Sequence, residues 1–256
     1  PNMRRRPLLG DLQGFDLLVF DEVDSTNAHA ARIIGDLHGP TWIMAHRQTQ
    51  GRGRRGRAWE SQSGNLTTSC VLFPMMEPTQ LALYSFVAAL AVRQAVVQVT
   101  EGREEPKLKW PNDVLLNGGK LSGILLESAG GGQGVSHLAI GIGVNLMETP
   151  MKEWLDPGAV WPVSLLSETG VQVTPEEFLT ALAAAYARYE HQFTTYGFEP
   201  IRTAWLARAA KLGEVITART THSETTGSFE TVDAEGNLVL NSAKGRVIIP
   251  AADIFF

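Results

Sequence analysis

The sequence is poor in the residues that build disulfides and metal sites. Its 256 residues include one cysteine, Cys70, and six histidines. A single cysteine cannot form a disulfide within the chain, and we interpret Cys70 as a small buried hydrophobic residue. No two histidines have HxH or HxxxH spacing, which argues against a zinc site. No GxSxG sequence is present, so nothing indicates hydrolysis through a covalent serine intermediate.

Long hydrophobic runs are scarce as well. The longest apolar run, Leu81–Val92, is short for a bilayer and contains Tyr84 and Ser85. The first seven residues, with arginines at positions 4 to 6, are not followed by the apolar stretch of a secretion signal. We interpret these arginines as a frayed tail and predict no membrane partner. The near absence of cysteine favours a reducing, cytoplasmic location.

Positive charge is scarce overall and concentrated in one segment. Acidic residues outnumber Lys and Arg by 27 to 22, a net charge of -5, whereas nucleic-acid binders usually run basic. The segment Gly51–Arg57, here called the arginine loop, nevertheless consists of three glycines and four arginines. Glycine lets the backbone approach a ligand closely, and arginine presents a charged fork that suits phosphate or carboxylate. We expect a specific anion here; a solvated basic loop or an RNA-binding module is the alternative.

The order of predicted elements indicates an α+β fold of two domains, residues 1–211 and 212–256. After Leu212, Thr, Val and Ile dominate, and short strands between turns indicate a small β-barrel of about five strands. The start of the chain and the stretch Met147–Pro162 are predicted as loops. The predicted helices are 26–37, 79–100, 175–196 and 200–210, and the predicted strands of the first domain are 41–45, 65–73, 107–110, 113–116, 121–128 and 136–146.

The segment Lys109–Val114 places two polar side chains between a Trp-Pro bend and an apolar strand. Asn112 and Asp113 in such a position are typical of a turn that caps its own backbone. A functional interpretation puts Asp113 where a magnesium ion and phosphates meet, because hard cations prefer carboxylate oxygens. Both interpretations stay open at this point.

Two strands that contain glycine follow. Lys120 begins the first, and Gly123 leaves a gap in it, which often marks close approach of a ligand. In the second, Gly141 and Gly143 share one face with Asn145, because side chains alternate along a strand. The two glycines would open a flat slot on that face. A surface lysine and a bulged core strand are the simpler alternatives.

Together and in this order, these segments resemble the biotin–protein ligase family. The likeness runs from about residue 20 to the C-terminus and is vague between residues 147 and 170. Its most specific parts are the arginine loop and the Lys-Trp-Pro-Asn-Asp segment. The matching residues are Asp24–Asn27, Gln48, Gly51–Arg57, Trp59, Lys109–Asp113, Lys120–Leu125 and Gly141–Asn145.

The resemblance implies a class II synthetase-like, mixed-sheet catalytic domain followed by an SH3-like β-barrel. It also implies two reaction steps. Biotin and ATP, with Mg²⁺, give biotinyl-5′-AMP and pyrophosphate, and the adenylate then biotinylates a lysine on the biotin carrier domain of a carboxylase. Fixed positive groups would neutralise the carboxylate and phosphates as they meet, and a closing loop would shield the reactive anhydride from water.

The same resemblance assigns the biotin site. Ser25, Thr26 and Gln48 would hold the ureido end of biotin by hydrogen bonds, and Lys120 would lie between the biotin carboxylate and the α-phosphate. The full set implied for biotin is Ser25, Thr26, Gln48, Gly51, Arg52, Lys120, Gly123 and Gly141.

It assigns the nucleotide site too. Lys120, Arg54 and Asp113 are the implied catalytic residues, with Arg54 closing the loop over the adenylate and Asp113 as the metal ligand. Asn145 is implied at the adenine, with Trp161 as a lid. The full set implied for ATP and the adenylate is Arg52, Arg54, Arg57, Trp59, Lys109, Asn112, Asp113, Gly143, Asn145 and Trp161.

Three further points concern DNA binding, the oligomeric state and the substrate. Bifunctional members of the family carry an N-terminal helix-turn-helix domain, but only about 20 residues precede the likeness here, so we expect the monofunctional type and no DNA partner. The sequence leaves the oligomeric state open, and a homodimer paired through an edge strand such as Ser136–Leu146 is one alternative. The competing function is a lipoate or octanoate ligase, whose substrate lacks the ureido group that Ser25, Thr26 and Gln48 would bind.

Overall fold

A computed structural model of the chain describes residues 3–4, 12–131, 134–151 and 158–256. Within these residues the chain forms an eight-stranded sheet with helices, followed by a five-stranded sheet. The helices are α1 Thr26–Ile33, α2 Tyr84–Val99, α3 Leu165–Thr169, α4 Pro175–Tyr196 and α5 Phe198–Leu206. The strands of the first sheet are β1 Met3–Arg4, β2 Asp16–Val23, β3 Thr41–Gln48, β4 Leu66–Leu72, β5 Lys107–Lys109, β6 Asp113–Leu116, β7 Gly119–Gly131 and β8 Gly134–Val144.

The large sheet is mixed, in the order β1-β2-β3-β4-β8-β7-β6-β5. Strands β2 and β3 are parallel and joined through α1, whereas the other neighbours are antiparallel. Alternate side chains face opposite sides of the sheet, so Ile43 packs with the α1 side while Trp42 packs with α2 and α4. Helices on both faces explain why β4, at the centre of the sheet, is buried along its whole length. The mixed-sheet α+β architecture expected from the sequence is thus present.

Helix α4 begins where its capping signals predict. Thr174 Oγ1 accepts a hydrogen bond from the Glu177 amide at 3.1 Å, and the Glu177 carboxylate accepts one from the Thr174 amide at 2.9 Å. This reciprocal pair satisfies two backbone donors that the first turn would otherwise leave free. Pro175 follows at the first helical position, and the predicted range 175–196 is the observed one.

The longest predicted helix is divided into two parts. Residues Pro78–Leu83 form a 3-10 turn, and α2 continues to Val99. By length and composition the segment Pro78–Val99 would be able to cross a membrane, but 72% of its most apolar window is buried inside the protein. Its hydrophobicity is explained by its position in the core between the large sheet and α4.

Two expectations about strands are wrong. The start of the chain is not all loop, because Leu17–Phe20 is an apolar run that forms the middle of β2. Strand β8 is not an edge strand, since β4 and β7 flank it on both sides, so the predicted range Ser136–Leu146 cannot pair two subunits. Arg5, Arg6, the turn at 132–133 and residues 152–157 of the predicted 147–162 loop lie outside the described residues.

The second sheet packs against the first unit. Trp110 Nε1 donates a 3.0 Å hydrogen bond to the Gly236 carbonyl, and the Phe229 ring lies 6.5 Å from that of Trp205. The domain boundary at residue 212 stays a prediction. It falls between the end of α5 at Leu206 and Val215, where the first strand of the second sheet begins. The five antiparallel strands are β9 Val215–Arg219, β10 Glu224–Val232, β11 Leu238–Ser242, β12 Gly245–Ile249 and β13 Asp253–Phe255.

Candidate active site

A cavity of about 980 Å³ lies where α1, the arginine loop, β6, β7, β8 and the C-terminal sheet meet. The four segments singled out from the sequence all contribute to its wall. Of the implied site residues, Gly51 and Trp161 are outside the lining. Those that line it are Ser25, Thr26, Gln48, Arg52, Arg54, Arg57, Trp59, Lys109, Asn112, Asp113, Lys120, Gly123, Gly141, Gly143 and Asn145.

One end of the cavity, here called the polar end, is formed by Ser25, Thr26 and Gln48. Ser25 is the N-cap of α1, and both Ser25 and Thr26 are buried. The Thr26 amide donates to Gln48 Oε1 at 2.8 Å, and Gln48 Nε2 donates to Ser61 Oγ at 2.9 Å. Ser69 Oγ donates to Thr26 Oγ1 at 2.7 Å. Because these groups are hydrogen-bonded to one another and to neighbouring side chains, the polar end is fixed in place without any ligand.

Asn27 explains why Gly141 has no side chain. A Cβ on Gly141 would lie 2.8 Å from Asn27 Oδ1, which is too close for a carbon atom. Asn27 Nδ2 donates to the Leu125 carbonyl at 3.1 Å and to Glu127 Oε2 at 2.9 Å. Nothing local in the sequence connects Glu127 with Asn27, because the two residues are 100 positions apart and meet only where α1 packs against β7.

The central feature of the cavity is an ion pair. Lys120 Nζ lies 2.9 Å from Asp113 Oδ1, and both side chains are largely buried. Asp113 on β6 is paired in register with Gly123 on β7, so the strands themselves bring the two groups together. The Lys120 backbone is held by the Trp161 carbonyl, which accepts from its amide at 2.8 Å. Trp161 therefore positions Lys120 through its backbone, while its own side chain is half exposed.

The predicted flat slot is present, and an indole ring lies in it. A Cβ on Gly143 would be 2.5 Å from the Trp59 ring, and one on Gly123 would be 3.0 Å from it. Lys120 Nζ lies 5.7 Å from the centre of the same ring. Any planar group entering this slot must therefore stack on Trp59 or move it. Asn145 closes the far end, with its side-chain amide donating to the Val163 carbonyl at 3.2 Å.

The arginine loop is a short folded hairpin. The Gly53 amide donates to the Arg57 carbonyl at 2.7 Å, and the Trp59 amide donates to the Gly51 carbonyl at 2.9 Å. Gly51 lies where the two arms meet, and a Cβ there would be 2.3 Å from the Trp59 carbonyl oxygen. Gly51 is thus required by close backbone approach rather than by the cavity wall. Arg55 at the tip has a φ of 56°.

Each arginine of the loop has a partner elsewhere in the chain. Arg52 lies 3.2 Å from Glu127, and Arg54 Nη2 donates to the Ala252 carbonyl at 3.1 Å. Arg55 and Arg57 both reach Asp253, at 2.8 and 2.9 Å. Sequence reasoning missed Asp253, since nothing local in the sequence connects it with the loop.

Two buried polar residues complete the wall near Asp113. Burial lowers the pKa of Lys109, although nearby Asp113 opposes the shift. The Asn112 side-chain amide donates to the Ile124 carbonyl, which ties the Pro-Asn-Asp turn to β7. Burial likewise lowers the pKa of Arg54, with Asp253 acting against it. The cavity thus holds several positive groups at once in a partly dry environment.

The donor set of the cavity suits a metal that arrives with phosphates. Within the residues the structure describes, no group of three or more His, Cys, Asp or Glu side chains is arranged to hold a metal ion. Asp113 supplies one carboxylate beside the positive groups. Mg²⁺ is commonly bound by one or two carboxylates together with substrate phosphates, so Asp113 fits that role better than the role of a resident metal site.

Comparison with known proteins places this fold and site in one class. A family model described as the biotin/lipoate A/B protein ligase family matches residues 19–145. A second model, the biotin protein ligase C terminal domain, matches residues 211–256. The first match covers the polar end, the arginine loop and the Lys120–Asp113 pair, and the second covers the five-stranded sheet. The fold is therefore that of the biotin and lipoate ligases, and most of the residues that line the cavity lie within the matched ranges.

Relatives narrow this class. The chain is 52% identical over 233 residues to the biotin–[acetyl-CoA-carboxylase] ligase of Paracoccus denitrificans, covering 91% of this chain and 97% of the relative. It is 30% identical to the bifunctional ligase/repressor BirA of Bacillus subtilis, covering 93% and 73%. The biotin protein ligase of Aquifex aeolicus in complex with biotin and ATP superposes with a TM-score of 0.79 at 27% identity, covering 93% and 97%. The chain belongs to the biotin protein ligase family.

Proposed function

We propose that this chain is an ATP-dependent biotin–protein ligase that works in the cytoplasm. It converts biotin and ATP, with Mg²⁺, into biotinyl-5′-AMP and pyrophosphate, and then biotinylates a lysine on the biotin carrier domain of a carboxylase. The observation that carries the proposal is one cavity with a neutral polar end, the Lys120–Asp113 pair and the arginine loop. These three parts match the ureido group, the reacting carboxylate and the phosphates.

The polar end suits a ureido group. Such a group has one carbonyl acceptor and two N–H donors, so it needs both donors and acceptors in a dry site. Ser25, Thr26 and Gln48 offer hydroxyl and amide groups, and their own buried hydrogen bonds fix them before biotin arrives. Glycines at 123 and 141 leave room for the bicyclic ring and its chain. Lipoate has no ureido group, so it would make none of the hydrogen bonds that this end of the cavity offers to a ligand.

Adenylation brings a carboxylate against a triphosphate, and positive groups must offset the repulsion. Lys120 is assigned to the junction of the biotin carboxylate and the α-phosphate, and Asp113 holds its ammonium group there at 2.9 Å. Arg52, Arg54 and Arg57 add fixed charge toward the phosphates, with Lys109 behind them. Mg²⁺ held by Asp113 would neutralise further phosphate charge. Preorganised electrostatic stabilisation of this kind is usually the largest catalytic contribution.

The second step requires the mixed anhydride to survive until a carrier lysine arrives. No covalent enzyme intermediate is needed, since the anhydride is already reactive. The arginine loop covers it and excludes water, and Trp59 forms one wall of the slot beside Gly143. The lysine amine then attacks the biotinyl carbonyl and AMP leaves. Adenine is assigned to the region of Asn145.

The competing nucleic-acid function is opposed by the net charge of -5 and by the position of the arginines. All four line one cavity and lie within 4.0 Å of Glu127 or Asp253, whereas a nucleic-acid binder usually presents a broad basic surface. A filter-binding titration with RNA and DNA at low and high salt tests this alternative. Tight, salt-sensitive retention would support it.

The decisive experiment gives the purified protein ATP, Mg²⁺, a carboxylase carrier domain and either biotin or lipoate. We expect a mass increase on the carrier lysine with biotin alone, and pyrophosphate release that depends on biotin. A carrier domain whose target lysine is replaced by arginine is the matched control. Modification by lipoate and not by biotin would overturn the proposal in favour of a lipoate ligase.

A further inference from the structure

Asp253 is the first residue of β13 in the C-terminal sheet, yet its carboxylate lies among the arginines of the catalytic domain. Asp253 Oδ2 is 2.8 Å from Arg55 Nη1 and 2.9 Å from Arg57 Nη2. Its side chain is 14% exposed, so water screens these contacts only in part. The neighbouring Ala252 carbonyl accepts from Arg54 Nη2. One short stretch of the C-terminal sheet thus contacts three of the four loop arginines.

The position of the Asp253 carboxylate is itself rigid. Strand β13 pairs with β9, with Asp253 opposite Arg219, and Ala252 and Ile254 on either side are buried. The C-terminal sheet is in turn fixed to the catalytic domain through the hydrogen bond from Trp110 to Gly236. A carboxylate held this way cannot follow a moving loop. The Asp253 carboxylate therefore fixes the position at which the positive charge of the loop arginines is neutralised.

The backbone hydrogen bonds of the hairpin lie within the loop, so they do not by themselves place it against the C-terminal sheet. The glycines of the loop permit many conformations, and Arg55 adopts a left-handed φ of 56°, which side chains other than Gly, Asn and Asp rarely favour. The cations of Arg54, Arg55 and Arg57 all approach one carboxylate and repel one another. Without a negative charge at that point, the folded hairpin would bring like charges together with nothing to offset them.

We propose that Asp253 is a positioning residue that keeps the arginine loop folded over the cavity through Arg55 and Arg57. It acts through these arginines and touches no reacting atom. Arg55 then serves the C-terminal sheet rather than the substrate, which gives a function to the one loop arginine without an assigned ligand. The part of the proposal that concerns ATP rests on the proposed ligase function, whereas the folding of the loop does not.

The test compares Asp253→Asn with the wild-type full-length protein. Asparagine keeps the shape of the side chain and removes its charge. Limited trypsin digestion, followed by mass spectrometry, measures cleavage after Arg52, Arg54 and Arg57. We expect cleavage at these bonds to be about tenfold faster in the variant, the equivalent of losing one hydrogen bond between charged groups. We also expect the KM for ATP to rise about tenfold, with the KM for biotin nearly unchanged.

Two further variants make the result specific. Arg55→Gln removes one of the two ion pairs, so it should give a smaller increase in loop cleavage in the same direction. Glu230→Gln is the matched control, because Glu230 also pairs with an arginine of the C-terminal sheet, Arg246 at 3.3 Å, but away from the cavity. It should leave both cleavage and the KM for ATP unchanged.

Each outcome decides the matter. Wild-type cleavage in a folded Asp253→Asn variant, checked by its melting temperature, would overturn the proposal. Cleavage that increases throughout the chain would overturn it too, since the effect would then be global unfolding. If Asp253→Asn does not fold, loop-restricted cleavage in Arg55→Gln supports the proposal and its absence overturns it. If the wild-type protein fails to biotinylate a carrier, the ligase function falls while the cleavage measurement still decides the role of Asp253.

Discussion

The polar end and the arginine loop are two ends of one cavity that are held in different ways. Thr26 and Gln48 are fixed by short hydrogen bonds to each other and to the hydroxyls of Ser61 and Ser69. The loop is held by ion pairs to another sheet, and the Arg57 side chain remains 51% exposed. One end is rigid and neutral, and the other is charged and depends on contacts across a domain boundary.

The proposed function accounts for this difference. A neutral ureido group gains from groups that are already oriented and dry, because no ordering cost then remains to be met on binding. Phosphates must enter and pyrophosphate must leave, so the charged end needs a segment that can open. We expect the arginines to exchange these partly exposed ion pairs for contacts with phosphate, and the glycines allow the backbone to change conformation. We therefore expect mutations at the two ends to affect different substrates.

The largest effect is expected at Lys120, where the two ends meet. Lys120→Ala should slow adenylate formation by about 100- to 1000-fold, the range for losing one preorganised group that stabilises developing charge. The fold should persist, because the Lys120 contacts that hold the strand are made by its backbone. Pyrophosphate release measures the rate, and circular dichroism checks the fold.

Lys244→Ala, at an exposed turn of the C-terminal sheet, is the matched control for Lys120→Ala. Wild-type pyrophosphate release by Lys120→Ala would contradict the role assigned to this residue. A loss of biotin binding without any loss of adenylation rate would show that Lys120 contributes to biotin binding rather than to the reaction of the carboxylate with the α-phosphate.

The next effect tests the rigid end alone. Gln48→Ala removes the acceptor of the Thr26 amide and leaves that buried donor without a partner. We expect biotin to bind about 10- to 100-fold more weakly, the equivalent of an unpaired buried polar group, while the affinity for ATP stays the same. Isothermal titration calorimetry with each ligand separately measures both. Gln50→Ala, at an exposed position two residues along, should change neither affinity.

Mutations in the arginine loop should change the retention of the adenylate rather than the affinity for biotin. In Arg54→Gly the loop loses its contact with the Ala252 carbonyl, so the adenylate should escape about tenfold faster, the equivalent of one charged hydrogen bond. Bystander lysines on added proteins should then be biotinylated, whereas biotin affinity should be retained. Arg54→Lys should correct this only in part, because lysine lacks the planar fork. Normal adenylate retention with no bystander biotinylation would count against a shielding loop.

The sequence predicted the polar end and the centre of the cavity better than the loop contacts. Asp113 and Lys120 lie within short segments whose residue types already indicate ligands, whereas Thr26 and Gln48 were implied only by the family resemblance. Strand pairing and a direct hydrogen bond bring the members of each pair together. Asp253 could not be found this way, because 198 positions separate it from Arg55 and only the packing of two sheets joins them.

The errors in the fold have a related cause. The apolar run Leu17–Phe20 is short, so by itself it does not distinguish a strand from a loop. Its parallel pairing with β3, which follows α1 in the chain, makes it a strand. The position of β8 inside the sheet depends on β4, which comes from a distant part of the chain. Periodicity predicts which residues form a strand, but not which strand lies beside it.

The smallest predicted effect sharpens what fixes the polar end. Arg32 makes two hydrogen bonds to Asp24, at 2.9 and 2.6 Å, and these lower the pKa of that carboxyl to about 2 from its ordinary 3.8. Asp24 also accepts from the Ser25 amide at 2.8 Å. Because the pair is exposed, Asp24→Asn should lower the free energy of unfolding by less than about 1 kcal/mol at pH 7.

The pH dependence of that loss has a definite sign. A carboxyl with a lowered pKa in the folded protein stabilises the fold at pH values above its unfolded pKa, and this contribution disappears as pH falls through the folded pKa. The free energy of unfolding, measured with urea, should therefore differ between wild type and Asp24→Asn by an amount that decreases below pH 3.8 and reaches zero near pH 2. Biotin affinity should not change, because the partners of Thr26 and Gln48 remain. If Asp24→Asn weakens biotin binding as much as Gln48→Ala does, an exposed ion pair fixes the polar end after all, and the two ends of the cavity are held by the same kind of contact.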